Sequence, residues 1–156
     1  MADDERDNPG IVAPPPLIYL GPLVLGLLLN RKFPAPFLPR RMGRILGLSL
    51  LGGGALLMSW FVWAMRRADT AIDPRKPVSR LVVEGPFRYT RNPSYLSMAM
   101  IYAGLVSLAN ALWAILLLPA ALIVIQRGVI EREERYLERK FGEEYLRYKA
   151  RVRRWI

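Results

Sequence analysis

The stretch from Ile45 to Met65, ILGLSLLGGGALLMSWFVWAM, runs 21 residues without a charged side chain. At a rise of 1.5 Å per residue it makes a helix about 30 Å long, the thickness of a bilayer hydrocarbon core. Trp60 and Trp63 near one end suit the interfacial aromatic belt. Gly52, Gly53 and Gly54, with Gly43 and Gly47 in GxxxG spacing just before them, predict close approach of a second helix backbone. A nucleotide-binding loop is the weaker reading, because the glycines sit inside an apolar helix with no strand before it. This segment decides the fold class: all-α, a multi-pass integral membrane protein.

Two further apolar blocks flank it. Pro16 to Leu29 (PLIYLGPLVLGLLL) is shorter and interrupted by Pro22, and reads as a membrane helix. The block from Pro93 to near Gln126 is too long for one crossing, and its polar interruption at Ala109-Asn110 divides it into two helices of minimal length, a tight helical hairpin. About four transmembrane helices result, with Pro22 and Pro119 bending theirs. The chain then divides into an acidic N-terminal tail (1–15), two N-terminal transmembrane helices (16–66) and a region (67–156) holding a charged loop, the hairpin and an amphipathic tail.

Of 156 residues, 53% are hydrophobic, and 23 Lys+Arg against 13 Asp+Glu leave a net charge of +10. A mean hydropathy of +0.17 beside so many charges means that apolar and charged residues lie in separate blocks. Residues 1–16 carry −3, 30–44 carry +5, 66–92 carry +4 and 127–156 carry +4. With four crossings, the N-terminus, the 66–92 loop and the C-terminal tail share one face and hold 18 of the 23 basic residues. The positive-inside rule places that face in the cytoplasm. Arg31, Lys32, Arg40, Arg41 and Arg44 would then face outward, against the rule. The basic residues flank the spans, where they attract lipid headgroups, and no nucleic-acid-binding module is present, so no nucleic-acid partner is expected. The acidic start MADDERD lacks the basic n-region of a signal peptide, which predicts that the first helix is retained.

Cysteine and histidine are both absent. That excludes disulfides, Cys/His metal sites, thiol nucleophiles, the Ser/His/Asp triad and imidazole acid-base chemistry. No metal is expected.

Two charged segments flank the hairpin. The first, LVVEGPFRYTRNPSY (Leu81 to Tyr95), lies at its mouth: Gly85-Pro86 makes a turn, and Asn92 caps a helix that Pro93 begins. Turn, cap and helix start account for it structurally, with Arg88, Tyr89, Arg91 and Tyr95 as interfacial anchors; a binding site accounts for it equally well. The second, RGVIEREERYLERKFGEEYLRYKARVRRWI (127–156), begins as an amphipathic helix with Val129, Ile130, Tyr136, Leu137 and Phe141 near one face. Gly142 ends or breaks it, and Tyr145, Tyr148 and Val152 continue the stripe. A membrane-surface helix with pairs such as Glu131 and Arg135 explains most of this. Glu133 is different, because it falls on or beside the apolar face, and a carboxylate there calls for a cation: Arg88, Arg91 or a ligand's ammonium.

In this order around a short hairpin, the two segments resemble the isoprenylcysteine carboxyl methyltransferase family and its phospholipid methyltransferase relatives. The matching residues are Gly85-Pro86-Phe87, Arg91-Asn92-Pro93-Ser94-Tyr95, Glu133-Glu134-Arg135-Tyr136-Leu137, Phe141-Gly142-Glu143-Glu144-Tyr145 and Tyr148, within residues 79–154. The resemblance implies S-adenosylmethionine-dependent methyl transfer to a lipid or lipid-like acceptor (carboxylate, thiol or amine) at the cytoplasmic face of the cell membrane. It maps cofactor contacts onto Leu81, Val82, Phe87, Asn92, Pro93, Tyr95 and Glu133; on that reading Arg91, Glu133 and Glu134 are the candidate catalytic residues, and Arg88 or Arg127 would orient an anionic acceptor. Two positions depart from the pattern: Asn92 stands where a His is frequent, and Val129 where eukaryotic members place a substrate-side Arg, with Arg127 and Arg132 as the nearest substitutes. Methyl transfer from a sulfonium to a carboxylate or thiolate removes no proton, so the lack of histidine costs little. An amine acceptor would need a base, with Glu133, Glu134 or a lipid phosphate as candidates. Two rival readings are an NADPH-dependent sterol-reductase-like enzyme, which shares a similar C-terminal pattern, and a non-enzymatic membrane interaction protein that keeps the fold.

Overall fold

The computed structural model describes residues 8–156, so the first seven residues of the acidic tail lie outside the described residues. The chain forms α1 (Pro15–Lys32), α2 (Arg40–Arg67), a 3-10 turn (Gly85–Arg88), α3 (Pro93–Ala109), α4 (Leu112–Ile125), a π-helical turn (Gln126–Ile130), α5 (Glu131–Phe141) and α6 (Glu143–Arg151). No strand occurs among the described residues.

Among the described residues, two helices are long and apolar enough to cross a membrane: Arg40–Arg67, and the continuous helix Leu112–Phe141 formed by α4, the π turn and α5. The apolar part of the second ends at Ile130, and α5 beyond it is charged. Large apolar side chains lie exposed along α1 (Leu17, Leu20, Leu25, Leu28), α2 (Leu46, Leu48, Leu56) and α4 (Leu116, Ile123, Val124). An apolar surface of that extent belongs in lipid, and this is a membrane protein.

The glycines of α2 act as the sequence predicts, but not all of them. A Cβ added to Gly47 would lie 2.9 Å from the Gly104 carbonyl oxygen, and one added to Gly104 would lie 2.9 Å from that of Gly47. Gly43 and Gly54 meet the carbonyls of Ser107 and Ser97 in the same way. Only hydrogen at these positions lets α2 and α3 run in backbone contact. Gly52 faces open space and takes no part in this seam.

The hairpin break falls where expected, with Asn110 in the left-handed conformation at φ 50°. The arms nevertheless diverge instead of forming a tight pair: α3 packs chiefly along α2 and α4 chiefly along α1, where Gly26 lies against Ala114. Asn110 is also more than an interruption. Its Oδ1 accepts from the amides of Phe37 and Leu38 at 2.9 Å each, and its Nδ2 donates to the Leu38 carbonyl at 2.7 Å. The α1–α2 loop is thereby fastened to the hairpin tip, with the Leu112 amide bonded to the Ala35 carbonyl at 3.1 Å and the Trp113 indole to that of Phe33 at 2.8 Å. This gathers the charged segments 69–92 and 131–156 at the opposite end.

A second difference concerns the C-terminal segment. It does not start as a separate surface helix, because α4 continues through the π turn directly into α5. The wider turn shifts the helix face, burying Val129 and Ile130 completely in the core and turning Glu134 and Tyr136 inward. Gly142 then ends α5 at φ 52°.

Candidate active site

Gly85 opens the 3-10 turn at φ 63°, a backbone region that favours glycine, and it lies against Trp60 and Ala64 of α2. Phe87 packs on Phe61 with ring centroids 5.9 Å apart. The C-terminal segment 152–156 is then bonded across this turn and the start of α3. The Arg91 amide donates to the Arg153 carbonyl (3.0 Å), the Thr90 hydroxyl and the Asn92 amide nitrogen donate to that of Arg154 (3.2 and 2.9 Å), and the Tyr148 hydroxyl donates to that of Phe87 (2.8 Å). Asn92 therefore occupies the N-cap position of α3 without capping it by its side chain, which holds the C-terminal segment at Arg154.

These elements, the 69–84 loop, α2 and residues 9–16 enclose a cavity of about 380 Å³, within the usual size of a small-molecule site. Leu81, Val82, Phe87, Arg91, Asn92, Pro93, Tyr95, Glu133 and Glu134 all line it. Arg88 and Arg127 do not: both are exposed outside it. Asp73, Arg75 and Arg80 from the loop, Ser94 from α3, Tyr136 from α5, and Tyr145 and Tyr148 from α6 add to its polar lining. The sequence signal for the two tyrosines was their place on the C-terminal apolar stripe. Nothing in the loop marked Arg80.

The two adjacent glutamates differ in their surroundings. Glu134 is buried and accepts from Arg154 through Nε at 3.0 Å and Nη2 at 2.8 Å, while the Arg91 Nη2 lies 3.2 Å away. Glu133 accepts a 2.7 Å hydrogen bond from the Tyr95 hydroxyl and has no cation beside it among the described residues. Arg91 thus pairs with Glu134 and not with Glu133. Desolvation raises the Glu133 carboxyl to about 7, against the lowering effect of the Tyr95 hydrogen bond, with the nearby Glu134 charge adding to the rise. Arg91 is itself nine-tenths buried, and its Nε and Nη1 have no hydrogen-bond partner among the described residues. The cavity therefore holds a carboxylate without a cation and two guanidinium donors without an acceptor, a polar pair fit to receive a ligand bearing both an ammonium and an anionic group.

No solved structure matches this chain. An uncharacterised protein of Haemophilus influenzae is 60% identical over 35 residues, 22% of this chain and 56% of that protein. The chain thus matches little more than half the length of that relative. The sequence profile of the phospholipid methyltransferase family matches residues 42–144, from the first turn of α2 past the end of α5. That stretch contains the glycine seam, the hairpin and the paired glutamates, and by it the chain belongs to the phospholipid methyltransferase family, a membrane methyltransferase.

Proposed function

We propose that the protein transfers a methyl group from S-adenosylmethionine to a lipid or lipid-like acceptor, at a site on the cytoplasmic side of the cell membrane. One observation carries this reading: the partnerless Arg91 donors and the cation-free Glu133 lie in one cavity. Glu133 would hold the cofactor's ammonium and Arg91 its carboxylate. Leu81, Val82, Phe87 and Pro93 would supply apolar wall, while Asn92 and Tyr95 keep the polar end in shape. Glu134, occupied by two guanidiniums, serves to position Arg91. The bound sulfonium supplies an electrophilic methyl group, so the protein's task is alignment and exclusion of water.

The orientation follows from charge. Four crossings put the N-terminus, the 66–92 loop and the C-terminal tail together on the face with 18 of 23 basic residues. Arg88 and Arg127, exposed outside the cavity, fit anchoring to anionic headgroups on that face better than contact with the acceptor. Family membership weighs against the NADPH-dependent sterol-reductase reading.

The test is incubation of detergent-purified protein with radiolabelled S-adenosylmethionine and fractionated membrane lipids. Label in a lipid fraction is expected. Cofactor binding without label in any fraction would favour the non-enzymatic reading instead.

A further inference from the structure

Residues 8–16 precede the stretch matched by the family, yet Pro9, Pro14, Pro15 and Pro16 all line the cavity. Proline fixes φ, so this part of the wall is stiff. The segment is fastened to the π turn and the start of α5: the Val12 amide donates to the Gly128 carbonyl at 3.2 Å, and Arg132 Nη1 donates to the Gly10 carbonyl at 2.7 Å. Gly10 makes its bend at φ 61°, its amide bonded to the Asn8 side chain at 3.0 Å. Gly128 is needed for the approach, since a Cβ there would lie 2.6 Å from Val12 Cγ2. Ile11, next to the contact, packs on the core.

Glu133 and Arg91 are assigned above to the cofactor's ammonium and carboxylate, and Leu81, Val82, Phe87 and Pro93 to its apolar contacts, which leaves the proline-lined side of the cavity among the lining with no cofactor role. We propose that residues 9–16 form the acceptor-selecting wall, holding the acceptor's apolar part, and that the Val12–Gly128 contact sets where that wall stands. The proposal rests on the methyltransferase reading. A shift of this wall changes which acceptor fits and leaves cofactor affinity alone.

Two variants test it. Gly128→Val drives Val12 away, and Pro16→Gly loosens the wall at a second point, in the first turn of α1. Each is incubated with radiolabelled S-adenosylmethionine and a lipid extract containing phosphatidylethanolamine, phosphatidylglycerol and free fatty acids, and labelled products are resolved by chain length and class. Both variants should change the ratio of labelled products by about tenfold, the low end of what a gain or loss of one methylene gives, with S-adenosylhomocysteine affinity held within about twofold. Gly128→Ala combined with Val12→Ala, which removes the collision, should restore the wild-type ratio. An unchanged product ratio in both single variants would overturn the proposal alone, and so would lost cofactor affinity with unchanged acceptor choice. Absence of any labelled lipid with the wild type would overturn the methyltransferase reading and this proposal with it.

Discussion

Replacing Glu133 by Gln removes one charge from the cavity and little else. Gln keeps an acceptor oxygen for the Tyr95 hydroxyl, now 2.7 Å from Glu133, so the junction of α3 and α5 stays bonded. What is lost is a charge-assisted hydrogen bond to the cofactor's ammonium, worth about 1.5–3 kcal/mol, or roughly 10- to 150-fold in affinity. Titration calorimetry with S-adenosylhomocysteine reads this directly. The wild type should also show a pH dependence that the variant lacks. Because the free carboxyl titrates at about 7, its ionised form is about one tenth populated at pH 6 and about nine tenths at pH 8. An ammonium binds the ionised form, so affinity should weaken by nearly tenfold from pH 8 to pH 6, with proton release on binding near pH 7. Equal affinity of Glu133→Gln and wild type, or a wild-type affinity flat across this range, would refute the assignment.

Glu134→Ala should act on stability first. It leaves Arg91 buried without its counter-charge and should cost about 3 kcal/mol, read as a lowered melting temperature in detergent; a melt equal to wild type would contradict the pairing. Gly47→Leu forces side-chain atoms onto Leu108 and the Gly104 carbonyl and should cost about 1–3 kcal/mol or more through overpacking, whereas Gly52→Leu, facing open space, should be tolerated in the same melt.

The sequence shows the α2 span, the hairpin break and the Gly142 stop, because each is encoded locally by an uncharged run or a residue with special backbone freedom. It does not show which helix each hairpin arm joins. That depends on where α1 and α2 present small residues, Gly26 to Ala114 and Gly47 to Gly104, and such matches are invisible in a one-dimensional pattern. The site divides along the same line. Nine of the residues singled out share one cavity because they flank a single hairpin mouth, but which glutamate takes Arg91 is decided by the π turn. A helical register read from residue 127 onward cannot include a turn that widens at Gln126–Ile130. The charge of Arg88 and Arg127 and their nearness in sequence to the hairpin do not bring them into the site, since both are exposed outside the cavity.

The absence of histidine bears on the acceptor through the carboxylates that line the cavity. Among the described residues, Asp73, Glu133 and Glu134 are the carboxylates that line the cavity. Asp73 is held by Arg75 through hydrogen bonds of 2.9 and 2.8 Å, which lower it to about 2. Glu134 is occupied by Arg91 and Arg154. Burial raises the Glu133 carboxyl to about 7, but on the reading proposed above it meets the cofactor's ammonium, and an ion pair keeps it ionised and weakly basic. Holding the cofactor and removing a proton from the acceptor are thus competing uses of one carboxyl. The cavity is consequently suited to an acceptor that needs no base, a carboxylate or thiolate, or to an amine whose own phosphate takes the proton. Identification of the labelled lipid decides between them. A methyl ester or thioether is the expected product, and a methylated headgroup amine whose formation is abolished by Glu133→Gln at saturating cofactor would show instead that Glu133 is the base.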